Sequence, residues 1–221
     1  MALSRLNYNS LNVTPAASKG IGFDAGADDL AATFSGGSIT FIKKLTASAS
    51  ATLSFVDGTS SVVLDNTYKE YLFTFNNMHP ASENPFFSFN LSIDSGSNYN
   101  VTKTSSAFFT QQGESATGAE LNYAAARDLA QGTGVQHISN EAGDDNDQGV
   151  SGYLHLFNPS STTFVKHYMA QTNSNFKYSE PYVMSTSVAG YGNTTSAVDA
   201  VQFSMSSGNI DAGDICLYGI N

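Results

Sequence analysis

In "FFSFNLSID", residues 86–94, Phe87, Phe89, Leu91 and Ile93 fall on one side of an extended chain and Ser88, Asn90 and Ser92 on the other. A helix would scatter those side chains around its circumference, whereas successive residues of a strand point to opposite faces, so the alternation demands half-buried β-structure. "YKEYLFTFNN" repeats the pattern, with Tyr71, Phe73 and Phe75 opposite Glu70, Leu72 and Thr74, and "SITFIKKL" sets Ile39, Phe41 and Lys43 on one face. Further strands are expected near 99–104, 106–111, 134–139, 150–157, 162–171, 182–190, 197–205 and 214–220. Turn chemistry separates them: "DSGSN" at 94–98, Asn158-Pro159 in "FNPSST", and "SSGNIDAGD". About a dozen short strands joined by such turns predict an all-β fold, an antiparallel β-sandwich of jelly-roll-like type. The absence of an internal repeat disfavours a propeller or solenoid. One patch reads as a short helix: "GAELNYAAARDLAQG", 118–132, with Leu121, Ala125 and Leu129 four apart and a glycine at either end.

Sustained alternation begins only near Ser38. Residues 1–37, rich in small side chains and closing on Gly36-Gly37, read as an extended N-terminal arm with short strands at most; residues 38–221 read as the β-sandwich domain. Charged residues make up 13 % of the chain, about half the usual share. Its surface must therefore be built from Ser, Thr, Asn, Gln and Gly, which suits stacked sheets carrying 15 Phe and 11 Tyr. With 9 basic against 19 acidic side chains and no cationic cluster beyond Lys43-Lys44, nucleic-acid binding is not expected. Cys216 has no intrachain partner and is expected as a small buried hydrophobe. The opening residues lack the apolar run of a signal peptide, and no stretch reaches the ~20 apolar residues of a membrane span. The expectation is a chain made in a cytoplasm, with no membrane partner.

Chemistry has few footholds. "NEAGDDNDQGVSG", 140–152, concentrates acid and glycine, and calcium favours six to eight oxygens at such a loop. Counting from Asp144, Asn146 and Gly149 occupy positions three and six of the EF-hand template, but Gln148 and His155 stand at five and twelve, and no helix flanks the run. An irregular calcium loop through Asp144, Asn146 and Asp147 competes with a solvated turn that needs no cofactor. His155 and His167 flank the Asn158-Pro159 turn. If 158–161 is the loop, His155 faces Phe164, His167 faces Gly152, and the two rings point to opposite sides of the sheet. No G-x-S-x-G, Walker or G-x-G-x-x-G motif occurs, and among Asp94, Glu114, Asp128, Asp144 and Asp147 nothing selects a glycosidase pair, so no enzyme is expected. The loop tyrosines Tyr99, Tyr178, Tyr182 and Tyr191 are candidates for contact with a glycan or a subunit, in a chain without Trp.

Three stretches, "NTYKEYLFTFNNMHPASENPFFSFNLSIDSGSNYNVTKTS", "DLAQGTGVQHISNEAGDDNDQGVSGYLHLFNPSSTTFVKHYMAQT" and "AVDAVQFSMSSGNIDAGDICLYGIN", together with the opening "MALSRLNYNSLN", resemble β-rich structural proteins of tailed bacteriophages that infect marine bacteria, of cyanophage and pelagiphage type. The resemblance runs from about Thr67 to Asn221 and implies a non-enzymatic virion protein. The expected role is a surface-exposed capsid decoration protein or fibre-like appendage, assembled as a homo-oligomer, a trimer by preference, against major capsid or tail proteins. The alternative expectation is a tail-fibre or receptor-binding module recognising a host-surface glycan.

Overall fold

The computed structural model describes residues 20–23, 30–34 and 38–221. Contacts gather the chain into two compact units, Met1–Thr40 and Phe41–Asn221. In the first, β1 (Gly20–Phe23) and β2 (Leu30–Phe34) form an antiparallel pair with Phe23 opposite Leu30. The rest of the expected 1–37 arm lies outside the described residues.

The second unit consists of two antiparallel sheets packed as a sandwich. The larger runs, in spatial order, β3 (Ile39–Thr46, entering this unit at Phe41), β14 (Ile210–Ile220), β5 (Glu70–Pro80), β10 (Gly149–Phe157), β11 (Lys166–Lys177), β12 (Pro181–Gly192), β7 (Lys103–Gly113) and β8 (Glu120–Tyr123). The smaller runs β4 (Leu53–Val56), β13 (Ala200–Met205), β6 (Phe86–Ser92) and β9 (Gln136–Glu141). Set aside β7, β8, β11 and β12, and count the other eight strands of this unit along the chain. Their orders become 1-8-3-6 and 2-7-4-5, the jelly-roll wiring of two interlocked Greek keys. The four remaining strands arrive as two insertions, one between β6 and β9 and one between β10 and β13, and together extend the larger sheet beyond β10.

The alternation read from sequence places Tyr71, Phe73 and Phe75 of β5 and Phe87, Phe89 and Leu91 of β6 in the core, each nearly or fully buried. Phe203 of β13 lies among Phe55, Phe73, Phe75, Phe87 and Phe89 at centroid separations of 5.2–6.5 Å, mostly edge-on or tilted, as aromatic quadrupoles favour. Two lysines also sit inside. Lys103 and Lys166 both pair with Gly192, from β7 and β11 on either side of β12, and are fully buried. Lys103 Nζ donates to Asn90 Oδ1 (2.5 Å) and Val101 O (2.7 Å), and Lys166 Nζ to Phe164 O (2.6 Å) and Thr194 O (3.2 Å), so carbonyl oxygens rather than carboxylates receive both ammonium groups.

Several local expectations are corrected. The helix-like patch at 118–132 instead forms β8 and a tight turn, with Leu121 and Tyr123 opposite Thr110 and Phe108 of β7; a helix of so few residues is marginal, and an open sheet edge captures the segment. In place of the strands expected at 99–104 and 106–111 there is one β7, which begins only at Lys103 and runs to Gly113. β6 is not half-buried. Ser88, Asn90 and Ser92 are as enclosed as the phenylalanines, because Asn90 Nδ2 donates to Tyr99 O and Thr133 O of covering loops and Ser88 Oγ meets His137 Nδ1 at 2.7 Å. The turn after β10 spans 158–165, longer than 158–161, so His155 pairs with Met169. That odd shift in register turns His155 and His167 to the same, outer face of the sheet. His155 Nε2 there lies 2.9 Å from Glu70 Oε2, and the His167 ring lies beside Tyr191. Cys216 is only half-buried, opposite Thr74.

Candidate functional site

A groove of about 920 Å³ opens on the outer face of the larger sheet, at the end where β7, β11 and β14 meet the loop joining β9 to β10. Its floor is made by strand register. Gln112 of β7, Val183 of β12, Asn175 of β11 and Gly149 of β10 stand side by side across four adjacent strands. Two residues along β11, Asn173 pairs with Ser151, whose Oγ accepts the Asn77 N–H at 3.1 Å. Alternation explains why these polar groups share a face. Within "QTNSNF", Asn173 and Asn175 point outward while Thr172, Ser174 and Phe176 point in.

The 142–148 loop is pinned over one side. Asn175 Nδ2 donates to Asp147 O (2.7 Å), Asn175 Oδ1 accepts the Gly149 N–H (2.9 Å), and Asn175 O accepts the Gly143 N–H (3.1 Å). His79 Nε2 lies 3.2 Å from Asp145 O. The Gln148 side-chain amide packs directly over Gly143, where a Cβ would force it aside. Its oxygen is itself buried without a hydrogen-bond partner among the described residues. At the end of the sheet Tyr182 stacks on Phe176 on the inner side of the strands, 5.7 Å between centroids at 23°, and lies against Gly118, where a Cβ would meet its Cε1 at 2.9 Å. Glu180 fixes the neighbouring turn by accepting from Ser115 N (2.8 Å) and from the Thr117 hydroxyl, and the Ser115 side chain, ahead of Thr117 and the Ser115 N–H, is the chief reason its carboxyl stays below the ordinary range.

Acidic groups dominate the groove. Glu114, Asp147 and Asp211 line it, with no Lys or Arg among the lining residues and the His79 ring 3.8 Å from Asp211 Oδ2. Just outside, slight desolvation and the facing Asp144 carboxyl hold the exposed Glu83 above the usual carboxylate range, with Asp145 adding repulsion.

The residues singled out from sequence are divided by this geometry. Asn146, Asp147 and Tyr182 line the groove, while Asp144 turns to Glu83. Among the described residues no three His, Cys, Asp or Glu side chains converge as a metal-holding set. Tyr178 is exposed in the β11–β12 turn. Tyr191 lies nine residues along β12 from Tyr182, roughly 30 Å away at the strand's rise per residue. Tyr99 folds over the Gly96 turn, near the start of β7, at that same far end. Sequence reading missed Gln112, Asn173, Asn175 and Val183; the outward alternation in "QTNSNF" signals two of them once β11 is carried to Lys177.

A second feature occupies the middle of the same face. Tyr123 of β8 pairs with Phe108 of β7, Phe108 with Ser187, Ser187 with Gln171 and Gln171 with Tyr153. One row over, Met169 pairs with His155, His155 with Leu72 and Leu72 with Tyr218, which meets the Phe41 ring edge-on at 5.7 Å. The result is a largely apolar band across the sheet, interrupted by Ser187, Gln171 and His155, in which Phe41, Phe108, Tyr123 and Met169 are each 51–60 % exposed.

Comparison of the chain with protein families, with characterised proteins and with solved structures returned no match.

Proposed function

We propose that this chain is a non-enzymatic surface component of a tailed-phage virion, a capsid decoration protein or fibre-like appendage, that works by assembling with copies of itself. The apolar band carries this reading. Large aromatic and Met side chains gathered on one open sheet face mark a contact surface, since a soluble monomer rarely leaves such a patch uncovered. A second copy is the fitting occupant. The chain has a net charge of −10, yet Phe41, Phe108, Tyr123 and Met169 carry none of it, and the Glu70 carboxylate at the band's margin is turned onto the His155 ring at 2.9 Å, so two such faces can meet with little like-charge repulsion. An isologous contact makes a dimer; the three-fold assembly expected from sequence requires the band to meet a different surface of its neighbour. The jelly roll recurs in capsid proteins and in lectins alike, so fold alone does not choose a role. The resemblance of 67–221 to marine-phage structural proteins supports the virion setting and capsid or tail proteins as partners.

Light scattering on the purified chain at tens of micromolar is expected to return two or three chain masses, and Phe108→Glu combined with Met169→Glu to return one. Wild type running as a monomer overturns the assembly reading. Immunogold labelling of intact particles tests the placement, which fails if no label decorates capsid or tail.

A further inference from the structure

We propose that the groove floored by Gln112, Val183 and Asn175 is a binding site for uncharged oligosaccharides. The inference does not depend on self-association, which concerns the middle of the sheet rather than its end.

Four observations carry it. First, the floor is made of side-chain amides on a regular lattice. Neighbouring strands stand ~4.8 Å apart, close to the length of one pyranose ring, so successive sugars meet successive strands. An amide offers both a donor and an acceptor, which matches a hydroxyl that must do the same. Second, part of this capacity is unspent. Among the described residues the side chains of Asn173, Asn146, Asp147 and Glu114 make no hydrogen bond, and Gln112 uses only its Nε2, toward Gly113 O at 3.1 Å. Third, Val183 lies between Gln112 and Asn175 and is 43 % exposed, an apolar step of the kind that the C–H face of a sugar covers. Fourth, one wall is already built. Asn175 holds the 142–148 loop by three hydrogen bonds, so binding has less left to order on that side.

Electrostatics selects within the sugars. Carboxylates with no lining Lys or Arg repel sialylated and uronate chains, and equally phosphate backbones. A cationic peptide would satisfy those carboxylates but would leave the amide floor unused, and so is the less complete fit.

The test uses the full chain, biotinylated and held on streptavidin so that weak single sites gain avidity. It is applied to an array of neutral oligosaccharides of glucose, galactose, mannose and N-acetylglucosamine beside sialylated, uronate and polylysine spots. Binding to neutral spots is expected, with none to the acidic ones. Asn146→Ala combined with Asn173→Ala should weaken it about tenfold at an unchanged melting temperature, the loss of two or so uncharged hydrogen bonds. Tyr191→Ala, at the far end of β12, should leave it intact. No signal on neutral glycans, signal confined to acidic or polylysine spots, or neutral binding untouched by the double substitution each overturns the proposal. Its failure leaves the chain mass in solution unchanged, and so is distinguishable from failure of the assembly reading.

Discussion

Phe203→Ala should cost about 3–5 kcal/mol, the usual loss when a buried phenylalanine is truncated in a site that cannot collapse. Five phenylalanines surround this ring, two from β5, two from β6 and Phe55 from β4. They belong to both sheets, so the cavity cannot close without drawing the sheets together, and rigid aromatic neighbours resist that. Since domains are stable by only about 5–15 kcal/mol, the variant should lose a third or more of its margin. The urea midpoint reports it, with Phe164→Ala, 68 % exposed, as a control expected to move little. A loss under about 1 kcal/mol at Phe203 would mean that the two sheets do not meet over this cluster.

Stability should rise from pH 7 to about pH 10. Desolvation in the core takes Lys103 down to about 8, whereas an unfolded lysine titrates near ~10.4. Below pH 8 both states hold the proton, and the folded state bears the cost of an enclosed charge. Between the two values the unfolded chain keeps a proton that the folded chain has shed. The unfolded state then binds more protons, and stability climbs with pH, by about 2–3 kcal/mol in all. Lys166, lowered by the same desolvation, acts in the same sense. Exposed carboxylates are already ionised throughout this range and contribute no slope. Tyr71 and Tyr168 set the upper limit. Burial raises both phenols above their ordinary value, so past about pH 10 the unfolded chain loses protons first and stability falls. Urea midpoints measured from pH 7 to 11 should therefore peak near pH 10, and Lys103→Met should flatten the rising limb. A wild-type profile that declines from pH 7 to 9.5 would show that the lysine is solvated.

How much was legible in the chain follows from which interactions are local. Period-two patterning needs only neighbours, so β5, β6, β10 and β13 could be located from residues alone, and with them the sandwich. What Ser88, Asn90 and Ser92 face depends on loops near 99 and 133, which no local pattern announces, and a polar side was accordingly read as a wet one. The His155–His167 relation turned on the length of one loop, where a single-residue error reverses every side chain that follows. The groove was hidden for a related reason. Its floor is assembled from residues 112, 149, 175 and 183 on four strands, and only the acidic loop at 140–149 stood out in the sequence. Composition contributed in one respect: with so few charges available, any recognition surface had to be built from amides and hydroxyls, and the groove largely is.

The strand wiring also governs how such a chain reaches its native state. β14 lies between β3 and β5, and β13 between β4 and β6, so each is inserted into the middle of a sheet between strands that stand far earlier in the chain. Until then β3 and β5 present unpaired edges, and the Phe55, Phe73, Phe75, Phe87 and Phe89 rings lack the partner they close upon. Loop-closure entropy across some 170 residues must be met before the Lys44–Asp214 bridge can form. Closure of both sheets thus waits on distant pairings, and until these form the open edges are free to find one another.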